Sequence, residues 1–204
     1  MVERLAERLV AWQIRNKYLT SQDQKLYQYA FELLIGQVVN LLIACLLAVV
    51  FQAYGTVLVF LLSFIPLRSY AGGHHADNFN TCTLISTGIL CSVCAAAKWI
   101  PNGAVFGTNL VCSTVCGGVI FFLAPIEDHN KPLSRRERKI YGRLAKGIWA
   151  AEALVWMICY QMHRERMSLV IALGHLVLFF LLAAGMIKNR KYKNRQYKRQ
   201  AEDI

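Results

Sequence analysis

Charge is segregated along this chain, and no other feature limits its fold as tightly. Six apolar stretches, roughly 30–51, 54–67, 82–100, 103–125, 147–162 and 167–187, carry almost none of the charged side chains. A few short blocks between them carry nearly all. With 56% hydrophobic residues overall, the chain is too apolar for an ordinary soluble domain, and the pattern is that of a membrane protein. A helix that crosses the ~30 Å hydrocarbon layer needs about 20 residues. The second and fifth stretches are shorter, and span only if flanking side chains snorkel or the bilayer thins. The expected fold is an all-α integral membrane protein with six transmembrane helices.

The basic residues give an independent count. The segment before the first span carries Arg4, Arg8, Arg15, Lys17 and Lys25, and the segment 68–81 carries Arg68 alone. Residues 126–146 carry Lys131, Arg135, Arg136, Arg138, Lys139, Arg143 and Lys146, and seven more lie between Lys188 and Arg199. With six spans all four segments fall on one side, leaving only Lys98, Arg164 and Arg166 opposite. The positive-inside rule then puts both termini in the cytoplasm. Five or seven spans would divide the two heaviest blocks between sides. Topology and anionic lipid therefore account for the net charge of +11, and no nucleic-acid partner is expected.

The seven cysteines, Cys45, Cys82, Cys91, Cys94, Cys112, Cys116 and Cys159, are odd in number and mostly lie in or beside spans. A disulfide framework is not expected. Cys91-x-x-Cys94 and Cys112-x-x-x-Cys116 have metal-like spacing, but inside apolar helices cysteine serves as a small packing residue. The first 15 residues hold Glu3, Arg4, Glu7 and Arg8 and no apolar run, so no cleavable signal peptide is expected.

Residues 2–18 have a helical rhythm. Val2, Leu5, Leu9 and Trp12 form a stripe with Ala6 and Val10 beside it, and charged residues cover the other side. This predicts an amphipathic helix, lying on the membrane or packed on the protein's own face. Thr20-Ser21-Gln-Asp23 offers caps before the first span, and Pro66, Pro101, Pro125 and Pro132 fall at or near span ends. The organisation expected is a cytoplasmic N-terminal segment (1–29), a six-helix membrane domain (30–187) and a basic cytoplasmic tail (188–204). Glu32, Glu152 and His175 lie inside apolar stretches, where an ionisable group is a functional candidate. Glu32 and Glu152 are near enough to the interface to be hydrated carboxylates. His175, with no acidic neighbour in sequence, reads as a neutral, hydrogen-bonded interior residue.

The chemistry concentrates in Arg68-Ser-Tyr-Ala-Gly-Gly-His-His-Ala-Asp-Asn-Phe-Asn-Thr81, which leads to Cys82. Gly72-Gly73 breaks a helix and permits close backbone approach. Asn80 or Thr81 would cap the third span, putting Cys82 in its first turn. The positive end of a helix dipole stabilises an anion there. A Cys and a His together make a strong nucleophile. His75 and Cys82 are seven residues apart, roughly 10 Å along a straight helix, whereas proton transfer needs about 3 Å or one bridging water. The pair therefore works only if residues 76–81 fold back, which Asp77, Asn78 and Asn80 favour. Three readings stand at this point: a Cys82 nucleophile with His75 as base, a zinc site of His74, His75, Asp77 and Cys82, or a plain polar loop.

Gly73-x-His75-Ala76-x-x-x-x-x-Cys82, led by Arg68 at a span end, resembles the central motif of the AgrB (accessory gene regulator B) family. Ala124-Pro125 and Lys131-Pro132-Leu133 ahead of the basic run also resemble its second cytoplasmic loop. Length, six spans and the amphipathic start are similar too, so the likeness covers nearly the whole chain. The resemblance implies a multi-pass protein of the bacterial cell membrane, a cysteine endopeptidase with its active site on the cytoplasmic side. His75 would be the catalytic histidine and Cys82 the nucleophile, with no metal or cofactor. The partners implied are membrane lipid, a second copy of the chain and an AgrD-like pro-peptide. The pro-peptide would be cleaved through a thioester on Cys82 and cyclised to a thiolactone or lactone for quorum sensing. Arg68 and Gly73 match motif positions, and Asp77, Asn78, Glu127 and Asp128 are candidates to orient His75. Lys131, Arg135, Arg136 and Arg138 would attract the acidic part of the substrate. The rivals are a peptide exporter without covalent catalysis and a non-enzymatic scaffold.

Overall fold

The computed structural model describes residues 2–73, 79–127 and 133–202. The helices, in chain order, are α1 (Val2–Arg15), α2 (Gln24–Val50), α3 (Tyr54–Ala71), α4 (Phe79–Trp99), α5 (Asn102–Val111), α6 (Gly117–Leu123), α7 (Arg135–Gln161) and α8 (Glu165–Glu202). A π-helical turn, Cys112–Cys116, joins α5 to α6. Every expected apolar stretch is helical, and there is no strand among the described residues. Five segments are long and apolar enough to cross a membrane: Gln24–Val50, Tyr54–Ala71, Phe79–Trp99, Gly103–Leu123 and Glu165–Tyr192. The sixth expected span, 147–162, lies at the C-terminal end of α7, whose N-terminal half carries the basic block.

The chain divides into two compact units, Met1–Gln52 with Ala76–Cys91, and Ala53–His75 with Ser92–Ile204. In the first unit α1 packs on α2. Val2, Ala6 and Val10, spaced by four residues, are buried, while Leu5, Leu9 and Trp12 are exposed. The apolar stripe is therefore split. One edge packs on the protein, and the other stays uncovered within the chain. The expected cap before the first span takes another form. Thr20 Oγ1 donates to Asp23 at 2.7 Å, a short 3₁₀ turn follows, and α2 begins at Gln24, six residues before its apolar run. Gly36 of α2 lies under the Phe79 ring of α4, so close that a Cβ there would sit 3.0 Å from two ring carbons.

The second unit is organised around α8, which packs on α3, on α5 to α6 and on α7. Its stretch from Ser168 to Leu173 is buried, and so are His175, Leu178 and Leu182. Leu178 and Leu182 join Leu67 and Ala71 of α3, Ile120 of α6, Ala124 just after α6, and Ala145 of α7 in one core cluster. Arg166 donates to the carbonyls of Ala97 and Ile100 (3.0 and 2.7 Å), closing the end of α4. α7 starts with a reciprocal cap: Ser134 Oγ accepts from the Glu137 N–H, and the Glu137 carboxylate accepts from the Ser134 N–H. Pro66 lies inside α3, near its C-terminal end. α8 runs on past Ile187, so the start of the basic tail is a continuation of a membrane-length helix.

Candidate functional site

The segment carrying the two histidines grows from the end of α3, in the second unit. α3 stops where two consecutive glycines take positive φ, +75° at Gly72 and +104° at Gly73. That conformation suits glycine and strains other residues. The two glycines lie alongside Ile126 as a short parallel bridge. The Ile126 N–H donates to the Ala71 carbonyl at 2.9 Å, and the Gly73 N–H donates to the Ile126 carbonyl at 3.1 Å. Space is closed as well: a Cβ on Gly72 would stand 2.0 Å from the Ile126 oxygen, and one on Gly73 3.0 Å from the Leu181 oxygen of α8. The Arg68 guanidinium reaches forward one turn and donates to the Gly72 carbonyl. Arg68 and Gly73 thus both fix the point from which the histidine segment departs.

The chain opposite is fixed in turn. The Ala124-Pro125 peptide is cis, and Pro125 lies over Gly142 of α7, where a Cβ would be 3.2 Å from the proline Cδ. Glu127 follows. Its carboxylate accepts from the Leu133 N–H at 3.0 Å and pairs with Arg138, and its carbonyl accepts from Asn189 Nδ2 at 2.6 Å. Both carboxylate oxygens are therefore used in closing the loop that leads to α7. Arg138, expected at a substrate surface, is half of that closure, whereas Arg135 and Arg136 are exposed in the first turn of α7.

Cys82 belongs to the other unit. It is the fourth residue of α4 and is exposed. Its thiol therefore lies in the first turn of that helix. Asn80 and Thr81 are not the caps expected of them, because the helix already begins at Phe79. Of the expected fold-back 76–81, residues 79–81 are helical and 76–78 lie outside the described residues. The other cysteines differ: Cys94, Cys112 and Cys116 are buried, Cys91 and Cys159 partly so, and Cys45 is exposed along α2. His74, His75, Asp77, Asn78, Asp128, Lys131 and Pro132 lie outside the described residues.

One pairing was not foreseen. Glu152 of α7 is buried rather than hydrated, and its Oε2 is 3.0 Å from His175 Nε2. The partners are 23 residues apart on different helices, so no local spacing announces them. His175 is, as expected, a hydrogen-bonded interior residue, 1% exposed.

Five apolar helices of span length in an all-helical chain define a multi-pass membrane protein. The family model Accessory gene regulator B matches residues 3–187. The chain belongs to the accessory gene regulator B family, and so has a role in the agr quorum-sensing system, whose AgrB members work with an AgrD pro-peptide. It is similar to the putative AgrB-like protein 2 of Clostridium perfringens (strain 13 / Type A), 28% identical over 156 residues, 72% of this chain and 70% of that one. It is also similar to a putative AgrB-like protein of Clostridium perfringens (strain SM101 / Type A), 26% identical over the same shares. No solved structure matches.

Proposed function

We propose that this protein is a membrane-embedded cysteine endopeptidase that cleaves an AgrD-like pro-peptide and closes the released part into a ring. The observation that carries the reading is Cys82, an exposed thiol on the first turn of α4. The Cys82 thiolate attacks the scissile carbonyl, and His75 takes the thiol proton and returns it to the leaving amine. The acyl group is then held as a thioester. A thiol or hydroxyl of the bound peptide attacks that thioester, forms the thiolactone or lactone and frees Cys82. Exchange between acyl carriers conserves activation, so closure to a thiolactone needs no external energy source. Backbone N–H groups of the first α4 turn supply donors for the developing oxyanion.

The membrane arrangement belongs to the same proposal. Six spans follow if 147–161 crosses as the end of α7. Glu152 is the single charged residue in that segment, and it is turned inward to His175. All four basic blocks, both termini and the site then lie on the cytoplasmic side. Lys131, Arg135 and Arg136 would meet the acidic end of the substrate, lipid surrounds the spans, and two copies assemble.

A second reading, export of the peptide without covalent catalysis, draws on the buried His175–Glu152 pair, since intramembrane ionisable groups often mark transport paths. Proteoliposomes with a synthetic pro-peptide separate the two. Cys82→Ala and His75→Ala should each lower cleavage by at least about a thousandfold, near the level left when a nucleophile or its base is removed. Release of the C-terminal fragment by Cys82→Ala at the unaltered rate would sink the peptidase reading. Uptake of intact peptide by that variant would favour export.

A further inference from the structure

A cleft of about 370 Å³ opens between the end of α6 and the first turns of α7. It lies within the second unit. Its floor is Pro125 on Gly142, and Leu123 and Ala124 form the apolar wall. The facing wall is Arg138, Lys139, Arg143 and Lys146, with no carboxylate among the lining residues. The Arg138 charge is already met by Glu127. Lys139, Arg143 and Lys146 are exposed, and among the described residues no carboxylate lies within ion-pair distance of them. They are spaced by four and three residues, so they share one helical face. Like charges at that spacing repel, and a bound anion would relieve the repulsion.

Position selects the anion. Leu123, which lines the cleft, is also the last residue of the apolar segment Gly103–Leu123. A span of that length ends where the headgroups begin. Lys146 Nζ lies 4.8 Å from the centre of the Phe121 ring on the same α6, so a cation is held directly against the membrane-length helix. Phe122 beside it is exposed. Polar cations above, an apolar helix below and a recess between them form a lipid-shaped surface, and basic pockets at helix ends are known to take anionic headgroups. We propose that this cleft binds the phosphate of an anionic phospholipid, with Lys139, Arg143 and Lys146 on the headgroup and the acyl chains along α6. The inference does not depend on the peptidase reading. A zwitterionic lipid carries the same phosphate, but its own cation would stand among three others.

The test is native mass spectrometry of the full chain in detergent, titrated with phosphatidylglycerol or phosphatidylcholine of identical acyl chains. Phosphatidylglycerol should be retained about tenfold better. The triple change Lys139→Ala, Arg143→Ala, Lys146→Ala should abolish that preference. A control triple, Arg136→Ala, Arg190→Ala, Lys191→Ala, removes as much charge elsewhere and should keep it. If the cleft triple loses helicity, Arg143→Gln alone is read, and the preference should fall at least about threefold. Equal loss in the cleft and control variants would mean diffuse surface charge and overturn the proposal. Millimolar inorganic phosphate that itself binds and fully displaces phosphatidylglycerol would make this a free-phosphate site. An acidic peptide retained only with the cleft intact, without any lipid preference, would make it a peptide site.

Discussion

Where α3 ends, Gly72 and Gly73 are clamped to Ile126 by backbone hydrogen bonds, by Arg68 and by the backbone of α8. Where α4 begins, Cys82 stands exposed on the first turn. These are the two ends of the segment that carries both histidines. One end is fixed by backbone geometry that tolerates almost no added atom. The other is left accessible. The contrast separates two kinds of motif residue. Arg68 and Gly73 hold the chain, and Cys82 is the residue to which the proposed function gives the chemistry.

The clamp is the easiest side of the contrast to break. Gly72→Ala puts a Cβ 2.0 Å from a backbone oxygen at a φ of +75°, so strain and overpacking add. A loss of about 3 kcal/mol or more is expected, read as a lower unfolding temperature in micelles. Gly88→Ala is the control, because its Cβ meets nothing within 4 Å and alanine favours a helix. Equal effects from both would show that the clamp contributes nothing. The accessible end is tested by thiol labelling. In single-cysteine proteins, Cys82 should react with a maleimide at least about a hundredfold faster than Cys112 or Cys116, whose burial demands local opening first. Similar rates at all three would remove the distinction drawn for Cys82.

The clamp was half legible in the sequence. A glycine pair after an apolar run announces a helix end with unusual φ, because few other residues adopt it. Ile126 announces nothing, since its role is played by backbone groups that every residue carries. The helices were legible because a membrane demands long uncharged runs, and all six stretches are helical. Their ends were less so: α2 starts before its apolar run and α8 continues beyond its own, since a helix can extend into water once its apolar part is anchored. The π turn at Cys112–Cys116 and the pairing of Glu152 with His175 depend on how helices meet, which linear spacing does not encode.

The smallest expected effect concerns the support behind the clamp. Glu127 was a candidate to orient His75, yet both its carboxylate oxygens are committed, one to the Leu133 N–H and one to Arg138. The Arg138 side is half exposed, and exposed ion pairs add at most about 1 kcal/mol. The Leu133 bond is one backbone donor to one acceptor, about 1 kcal/mol again. Glu127→Gln keeps an oxygen for Leu133 and loses only the charge, so stability should fall by about 0.5 kcal/mol. Glu127→Ala loses both contacts and should cost about 1 to 2 kcal/mol. Amide exchange at Leu133 then decides between the two roles. A loop staple predicts faster exchange in the alanine variant and little change in glutamine, with cleavage following stability. If both variants instead abolished cleavage while Leu133 stayed protected, Glu127 would be acting on His75, and the division between holding and reacting residues would have to be redrawn.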